Sequence, residues 1–206
     1  MDTTMRHKKS VDNNARRKSR GFSLIEVMIA MVVLTVGLLA VIASFATAIA
    51  ATQSAQEDLI ARHKALDAME SIYTARNSQQ IPFTSIANQA NGGIFKGGAQ
   101  ALLCAGPDGL VGTADDVPCR TVAGALCPNG GVECMVLPGP DGILGNADDQ
   151  IMSLANFRRT ITISQVLQSN GQVNPNLMAI TIAVTYTKAG WPARTYAADG
   201  LMSSYH

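Results

Sequence analysis

The stretch that decides the architecture begins Arg20-Gly21-Phe22-Ser23-Leu24-Ile25-Glu26 and continues without a charge over residues 27–51, VMIAMVVLTVGLLAVIASFATAIAA. An unbroken helix from Phe22 to Ala51 is about 45 Å long at ~1.5 Å per residue, which is enough to span a bilayer. Only Gly37 is a poor helix former there, and proline is absent. The stretch therefore predicts a membrane-spanning helix over residues 22–51.

The charges on the two sides of this run have opposite signs. Residues 1–21 contain seven Lys and Arg against two Asp, a formal charge of +5. The remainder carries nine Lys and Arg against thirteen Asp and Glu, a formal charge of −4. A basic tail can bind nucleic acid, but one that abuts an apolar run is typical of the cytoplasmic flank of a membrane anchor. The pattern predicts a single membrane crossing with everything after residue 51 outside the cytoplasm, and no nucleic-acid contact.

Glu26 is the unusual residue of the span, because a carboxylate at the centre of a membrane costs about 3 kcal/mol or more unless it has a partner. Two general interpretations are open. In a plain signal anchor, Glu26 lies close enough to the interface to stay hydrated. In a secretory signal peptide, Ala48-Ile49-Ala50 satisfies an A-x-A cleavage pattern, although the apolar segment is far longer than the usual h-region. The physical pattern favours the single-pass anchor.

The hexapeptide Gly21-Phe22-Ser23-Leu24-Ile25-Glu26, followed by an apolar run, resembles the type IV prepilin processing motif. The resemblance implies that a prepilin peptidase/methyltransferase cuts between Gly21 and Phe22 and then methylates the amino group of Phe22. Residues 1–21 are in that case a cytoplasmic leader peptide, and the missing side chain of Gly21 lets the peptidase approach the backbone. Glu26 gains a partner, the new α-amino group of Phe22 on its own chain or on a neighbouring subunit, and the pair sets the stagger between subunits.

The segment Glu26–Ala40 is similar to minor pilins of the PilV type and to the I-type minor pseudopilins of type II secretion. The resemblance covers residues 16–45 well and does not extend with comparable strength into the rest of the chain. Many major pilins have a proline near the middle of this helix, where this chain has Ala43. The resemblance implies a single-pass protein of the bacterial inner membrane, with its head in the periplasm. It then joins other pilin subunits in an extracellular or periplasmic filament.

The helix is expected to continue over residues 52–76 as an amphipathic helix. One face is predicted to be apolar, with Leu59, Leu66, Met69 and Tyr73 at positions i, i+7, i+10 and i+14. Such a stripe is predicted to pack against a sheet. Helix signals fade at Asn77, and Pro82 indicates that the helix has ended.

Residues 77–206 are predicted to form the head. Residues 77–103 are rich in Asn, Gln, Gly and Ser and predict a connecting loop. Alternating apolar and polar residues predict strands over Phe157–Leu167, Met178–Lys188 and Ala193–Ala198, with turns at Ser169-Asn170-Gly171, Asn174-Pro175-Asn176 and Gly190-Trp191-Pro192. The fold class is therefore α+β and pilin-like, with a long N-terminal helix packed on an antiparallel sheet formed by residues 157–198.

Four cysteines fall within the loop-rich region 104–150 on the outer side of the membrane: Cys104, Cys119, Cys127 and Cys134. An even number in an oxidising compartment favours two disulfides, with three possible connectivities. We expect the sequential pairing, Cys104–Cys119 and Cys127–Cys134, because it closes only short loops. A zinc site is the weaker alternative, since there is no C-x-x-C pair and no nearby histidine.

The same region contains one element twice, GPDGLVGTADD at residues 106–116 and GPDGILGNADD at residues 139–149. The loops are similar to D-G-x-x-G-x-x-D-D loops of some calcium-binding secreted proteins, and some pseudopilins carry a calcium site in the head. Carboxylates on a tightly turning chain suit calcium. The loops predict two calcium sites, one formed by Asp108, Asp115 and Asp116 and the other by Asp141, Asp148 and Asp149. A single shared site, or a pair of solvated turns that bind no metal, remains open.

These features predict a structural subunit, a minor pilin that initiates, caps or modifies a filament. A minor pseudopilin of type II secretion and a calcium-dependent adhesin at a pilus tip are the alternatives. An enzyme is not expected, because the three histidines, His7, His63 and His206, form no Ser-His-Asp or Cys-His arrangement, and no phosphate-binding glycine loop is visible.

Overall fold

The computed structural model describes residues 21–188 and 190–205. The predicted leader peptide, apart from Gly21, lies outside these residues. The chain forms two compact units, one that ends at Ala50 and one that begins at Ala51. The helices are α1 (Leu24–Asn77) and the single turn α2 (Pro128–Gly131), and the strands are β1 (Gln100–Ala101), β2 (Cys134–Leu137), β3 (Gln150–Ser153), β4 (Phe157–Leu167), β5 (Val173–Tyr186) and β6 (Arg194–Ser203).

The N-terminal unit consists of the first part of α1. The helix begins where the Ser23 carbonyl accepts the N–H groups of Glu26 and Val27, at 3.0 and 3.2 Å. Every residue from Gly21 to Ile49 is exposed. Among the residues that the structure describes, α1 is the one helix long and apolar enough to cross a membrane, with a mean hydropathy of 2.7 over its most apolar window. None of that window is buried, whereas a core helix of a soluble protein would be mostly covered.

The head is built on an antiparallel sheet with the strand order β1-β4-β5-β6. Strand β4 pairs with β5 so that Ile161 faces Ile182, and β5 pairs with β6 so that Ile182 also faces Ala198. Alternation places Ile180, Ile182, Val184 and Tyr186 on the buried face of β5. The predicted α+β, pilin-like fold with a long N-terminal helix and a small antiparallel sheet is confirmed.

The face of α1 that packs in the head overlaps the predicted stripe only in its second half, where Met69 is buried and Tyr73 packs against the core. Its buried residues are Ile60, Ala61, Ala65, Ala68, Met69, Ile72, Ala75 and Arg76. Leu59 and Leu66, the first two members of the predicted stripe, are 53% and 43% exposed. The prediction favoured large apolar side chains, but four of the eight buried residues are alanines. Small side chains on the helix leave space that the isoleucines of the sheet fill.

Two strands differ in length from the prediction. Strand β5 begins at Val173, so the predicted turn Asn174-Pro175-Asn176 lies inside it. The chain reverses at the other predicted turn, Ser169-Asn170-Gly171, where the Gln168 N–H donates to the Gln172 carbonyl. The pairing of β4 with β5 shifts register between Gln165 and Leu167, and Pro175 lies in that irregularity, where its missing N–H breaks no ladder bond. Strand β6 extends to Ser203, beyond the predicted end at Ala198.

The predicted connecting loop contributes to the core. Ile86, Phe95 and Leu102 are fully buried with the helix and the sheet. The Asn88 side chain binds the backbone of β4, because its amide nitrogen donates to the Ile161 carbonyl at 2.8 Å and its amide oxygen accepts the Ile163 N–H at 2.9 Å. The polar composition of this segment predicted only a connecting loop, but the segment packs on the core and hydrogen-bonds to β4.

A small second sheet was not predicted. Strands β2 and β3 pair antiparallel from Cys134 opposite Ser153 to Leu137 opposite Gln150. Each strand has only four residues, too few for a clear alternation pattern, and a disulfide and a glycine-rich loop flank the pair. The hairpin is attached to the rest of the head through Glu133, whose N–H donates to the Leu102 carbonyl at 2.8 Å and whose carboxylate pairs with Lys64 of α1.

The alanine face of α1 supplies the first test of this fold. Ala65 is completely buried, so Ala65→Leu forces a larger side chain into a filled contact and should lower the free energy of unfolding by about 1–3 kcal/mol. Ala55→Leu is the matched control, because Ala55 is exposed on the same helix, and its effect should stay within about 0.5 kcal/mol. Denaturant unfolding of the full chain in detergent, with disulfides intact, measures both. Equal effects would contradict the assigned face.

Candidate functional site

The cleavage site predicted from the sequence lies just before α1. Residues 21–23 have no regular secondary structure, and the Phe22 side chain is exposed. A Cβ atom built on Gly21 would meet nothing within 4 Å. The fold of this chain therefore does not require glycine at position 21, so a requirement for glycine there has to come from a molecule that binds the segment.

Glu26 lies in the first turn of α1. A carboxylate there is favoured by the free N–H groups at the helix start by roughly 0.3–1 kcal/mol at an exposed position. Phe22 and Glu26 share one helix surface with Val27, Ala30, Met31 and Leu34. Among residues 21–188 and 190–205, no basic side chain forms an ion pair with the Glu26 carboxylate. The structure thus places Gly21, Phe22 and Glu26 together at the accessible start of an exposed apolar helix.

Residues 16–42 match the family model of the prokaryotic N-terminal methylation motif. The match contains Gly21, Phe22 and Glu26 and continues through the apolar part of α1. The motif, the long apolar helix and the small antiparallel sheet fit a type IV pilin-like protein. No curated protein and no solved structure gives a significant match to the chain.

The motif supports a pilin or pseudopilin that is a substrate of prepilin peptidase. It also implies assembly with other pilin subunits. Together with the apolar helix, it indicates a chain that is anchored in the membrane before it assembles.

The four cysteines form two disulfides in the head. Cys104 is bonded to Cys119 and Cys127 to Cys134, with Cα–Cα distances of 5.1 and 5.8 Å. This is the sequential pairing expected from the sequence. The Cys119 N–H donates to the Gly131 carbonyl, and the Cys127 N–H donates to the Cys119 carbonyl, so the two cross-linked loops are also tied to each other through their backbones.

The repeated aspartate loops, residues 106–116 and 139–149, share one backbone design. In the first loop, the Asp108 carboxylate accepts the Leu110 N–H at 2.8 Å and the Asp116 carboxylate accepts the Gly112 N–H at 2.9 Å. The second loop repeats both bonds at the equivalent positions, from Ile143 to Asp141 at 2.9 Å and from Gly145 to Asp149 at 2.7 Å. The aspartates are therefore caps for their own loops, which is a common use of this side chain in turns.

The glycine that opens each loop is required by a close approach. A Cβ atom on Gly106 would lie 2.2 Å from the Asp115 carbonyl oxygen. The corresponding atom on Gly139 would lie 2.3 Å from a carboxylate oxygen of Asp148. Each loop thus returns onto its own start, and this explains in physical terms why both copies begin with glycine.

The first aspartate loop is docked against the core of the head. Leu110 is 1% exposed, and Thr113 is also buried. The Lys96 N–H donates to the Gly112 carbonyl at 2.7 Å, and the Gln80 side chain donates to the Asp108 carbonyl at 2.6 Å. The connecting segment, residues 77–103, therefore holds this loop in place through both bonds.

The pKa values of two charged groups at the first loop, Asp115 and Arg159, are shifted from their ordinary values. The Thr113 hydroxyl donates to Asp115 at 2.6 Å, and this bond is the main reason that the pKa of Asp115 lies below its ordinary value. Arg159 is buried nearby, and the loss of water lowers the pKa of its guanidinium, while the charges of Asp116 and Glu133 act in the opposite direction. Arg159 thus supplies a fixed cation beside the loop. Sequence reasoning missed it, although a charged residue at an inward position of β4 was a visible signal.

The second aspartate loop connects β2 to β3 and is exposed. Ile143 and Leu144, the counterparts of Leu110 and Val111, are 63% and 60% exposed. The hydrogen bonds of its side chains stay within the loop. One carboxylate oxygen of Asp149 is inaccessible to solvent and has no hydrogen-bond partner. The same sequence element is therefore anchored in the core through Leu110 and Thr113 in one copy and exposed at Ile143 and Leu144 in the other.

Each of the two predicted calcium sites consists of three aspartates of one loop. Among the described residues, no group of three or more His, Cys, Asp or Glu side chains converges as metal ligands. In each loop, carboxylate oxygens face backbone N–H donors, and an ion would have to compete with those bonds. Calcium binding by Asp108, Asp115 and Asp116, or by their counterparts in the second loop, stays a prediction.

The contrast between the two loops can be tested with a matched pair of truncations. Leu110→Ala removes a fully buried side chain and should lower the free energy of unfolding by about 2–5 kcal/mol. Ile143→Ala truncates the equivalent exposed residue and should change it by less than about 0.5 kcal/mol. Denaturant unfolding of the full chain in detergent measures both, and a large loss for Ile143→Ala would show that the second loop is packed in solution.

Calcium binding is tested by thermal unfolding with and without the ion. The calcium hypothesis predicts that calcium raises the melting temperature of the head, because an ion that binds only the folded loops stabilises them. Asp115→Ala combined with Asp148→Ala should abolish the rise, since it removes one carboxylate from each loop. Magnesium at the same concentration is the control for ionic strength. If calcium has no effect on the unsubstituted chain, the loops are hydrogen-bonded turns that need no metal.

Proposed function

We propose that this protein is a minor pilin, a structural subunit of a type IV pilus, cut by prepilin peptidase and assembled through its N-terminal helix. The observation that carries the proposal is the methylation motif at residues 16–42, located at the start of an apolar helix whose side chains are all exposed from Gly21 to Ile49. Such a helix needs an apolar environment, first the membrane and then the packed interior of a filament.

Processing is proposed to occur between Gly21 and Phe22 at the cytoplasmic face of the inner membrane, followed by methylation of the Phe22 amino group. The cut removes residues 1–21, the strongly basic part of the chain. It also creates an α-amino group within one helical turn of Glu26. An ion pair between this amino group and the Glu26 carboxylate offsets the cost of burying either charge among apolar helices. An apolar helix without such a pair could slide along its neighbours, so the pair fixes the axial position of the subunit.

The head is proposed to lie in the periplasm before assembly and on the filament afterwards. The two disulfides support this placement, because they persist in oxidising compartments. The cross-linked loops and the projecting hairpin elaborate the head beyond its helix and sheet, which favours a specialised minor subunit over the bulk one. A minor pseudopilin of type II secretion and a calcium-dependent adhesin at the pilus tip remain the alternatives, and a structural role is proposed in each case.

Mass spectrometry of the mature chain tests the processing step. The expected product begins at Phe22 and is heavier than the bare peptide by one methyl group. Gly21→Val should block cleavage and leave the leader attached, because a branched side chain obstructs the approach of a peptidase to the backbone. The same change should leave the head unaffected, since a side chain at this position meets nothing within 4 Å. A mature chain that starts near Ala51, or one that keeps Met1, would contradict the proposal.

Glu26→Gln separates assembly from processing. It keeps the size of the side chain but removes its charge, and loss of one partner from a buried pair costs about 3–5 kcal/mol. We expect normal cleavage at Phe22 and a large loss of the chain from sheared filaments, as measured by immunoblots of the filament and membrane fractions. Glu57→Gln is the control, because it neutralises another carboxylate of α1 outside the motif. Equal recovery of both variants in filaments would remove Glu26 from the assembly step.

A further inference from the structure

The second aspartate loop exposes the apolar residue that the first loop buries at the equivalent position. Leu110 of the first loop is 1% exposed in the core, whereas Ile143 at the equivalent position projects from the β2–β3 connection. Both loops have the same capping bonds, so the second is not a distorted version of the first. The first loop shows how this element packs against a surface. Leu110 enters the apolar core, and Asp116 at the acidic end of the loop lies near Arg159.

The docked copy defines the surface that the second loop requires. Next to the first loop, the apolar contact comes from core residues that include Ile161, whose side chain lies 2.7 Å from where a Cβ on Gly112 would be. The cation is Arg159, whose pKa is affected by Asp116. In the second loop, Ile143 and Leu144 lack such a covering, and no Lys or Arg among the described residues pairs with the three aspartates of that loop. The matching partner is therefore an apolar surface that carries a basic side chain.

The same chain presents such a surface on α1. Leu59 and Leu66 are exposed and lie two turns apart, about 10 Å along the helix. Arg62 lies between them on the same side, is exposed, and has no ion pair among residues 21–188 and 190–205. We name Leu59, Arg62 and Leu66 the basic stripe. Because the basic stripe and the second loop are both exposed in one chain, neither covers the other within that chain.

We infer that the second aspartate loop of one subunit docks on the basic stripe of a second copy of this chain. Ile143 and Leu144 meet the two leucines, and the acidic end of the loop meets Arg62. The contact goes beyond the proposed function, since it concerns which subunits are neighbours, and it depends on that function only for bringing subunits together. Its consequence is that copies of this protein lie side by side in the filament rather than singly among other subunits.

Photocrosslinking in the full chain tests the contact. A benzophenone amino acid replaces Ile143, and this chain is co-expressed with an epitope-tagged copy in cells that assemble the filament. The expected result is a crosslinked dimer whose joined peptide contains residues 59–66 of the tagged copy. The control places the same amino acid at Leu201, an exposed residue on β6, and should give no link to residues 59–66. A link from position 143 only to a different protein, or to another part of the second copy, overturns the inference.

Charge reversal supplies a second readout. Arg62→Glu should lower the crosslink yield from position 143 roughly fivefold or more, because it puts like charges opposite each other. Adding Asp148→Lys to the same chains should restore much of the yield. Both positions are exposed, and the melting temperature of each variant verifies its folding. An unchanged yield in Arg62→Glu overturns the contact. The N-terminus of each sample is read by mass spectrometry, so that a failure of processing is distinguished from a missing contact between processed subunits.

Discussion

The head of this protein depends on the contact between the alanine-lined face of α1 and the apolar face of its antiparallel sheet. Ala61, Ala65 and Ala68 leave room for the isoleucines of β4 and β5 in one core cluster. The connecting segment and the first aspartate loop then complete the same core through Phe95, Leu102 and Leu110. The connecting segment and the first aspartate loop are thus both packed on the core that the helix and the sheet form.

Polar bonds fix the helix in register on the sheet. The Tyr186 hydroxyl of β5 donates to Asp58 of α1 at 2.7 Å, and Arg194 of β6 pairs with the other oxygen of that carboxylate at 2.9 Å. Burial is the main cause of the raised pKa of Tyr186, and its bond to Asp58 adds to it. At the other end of the helix segment, the Tyr73 hydroxyl donates to the Leu201 carbonyl and Arg76 donates to the Ser204 carbonyl. Directional bonds at both ends complement an apolar contact that has little directionality of its own.

This arrangement separates the two tasks of one helix. In the segment after Ala50, one face of the helix packs in the core of the head and is buried there. The segment before it has no covering at all, and its side chains are available to a membrane or to other helices. The methylation motif lies at the far end of the uncovered segment, where a short accessible stretch precedes the first turn.

Local periodicity, charge and short contiguous patterns were enough to predict the membrane-type helix, the fold class, the three long strands and the motif at Gly21, Phe22 and Glu26. The part that alanines play in the buried face of α1 required the tertiary structure, since alanine carries little apolar signal in a sequence. The tertiary structure also decided that Phe95 and Leu102 belong to the core and that Arg159 lies beside the first aspartate loop. Above all, it gave two nearly identical loops opposite environments, because burial depends on what the rest of the chain brings near each copy, and the eleven residues of a loop do not encode that.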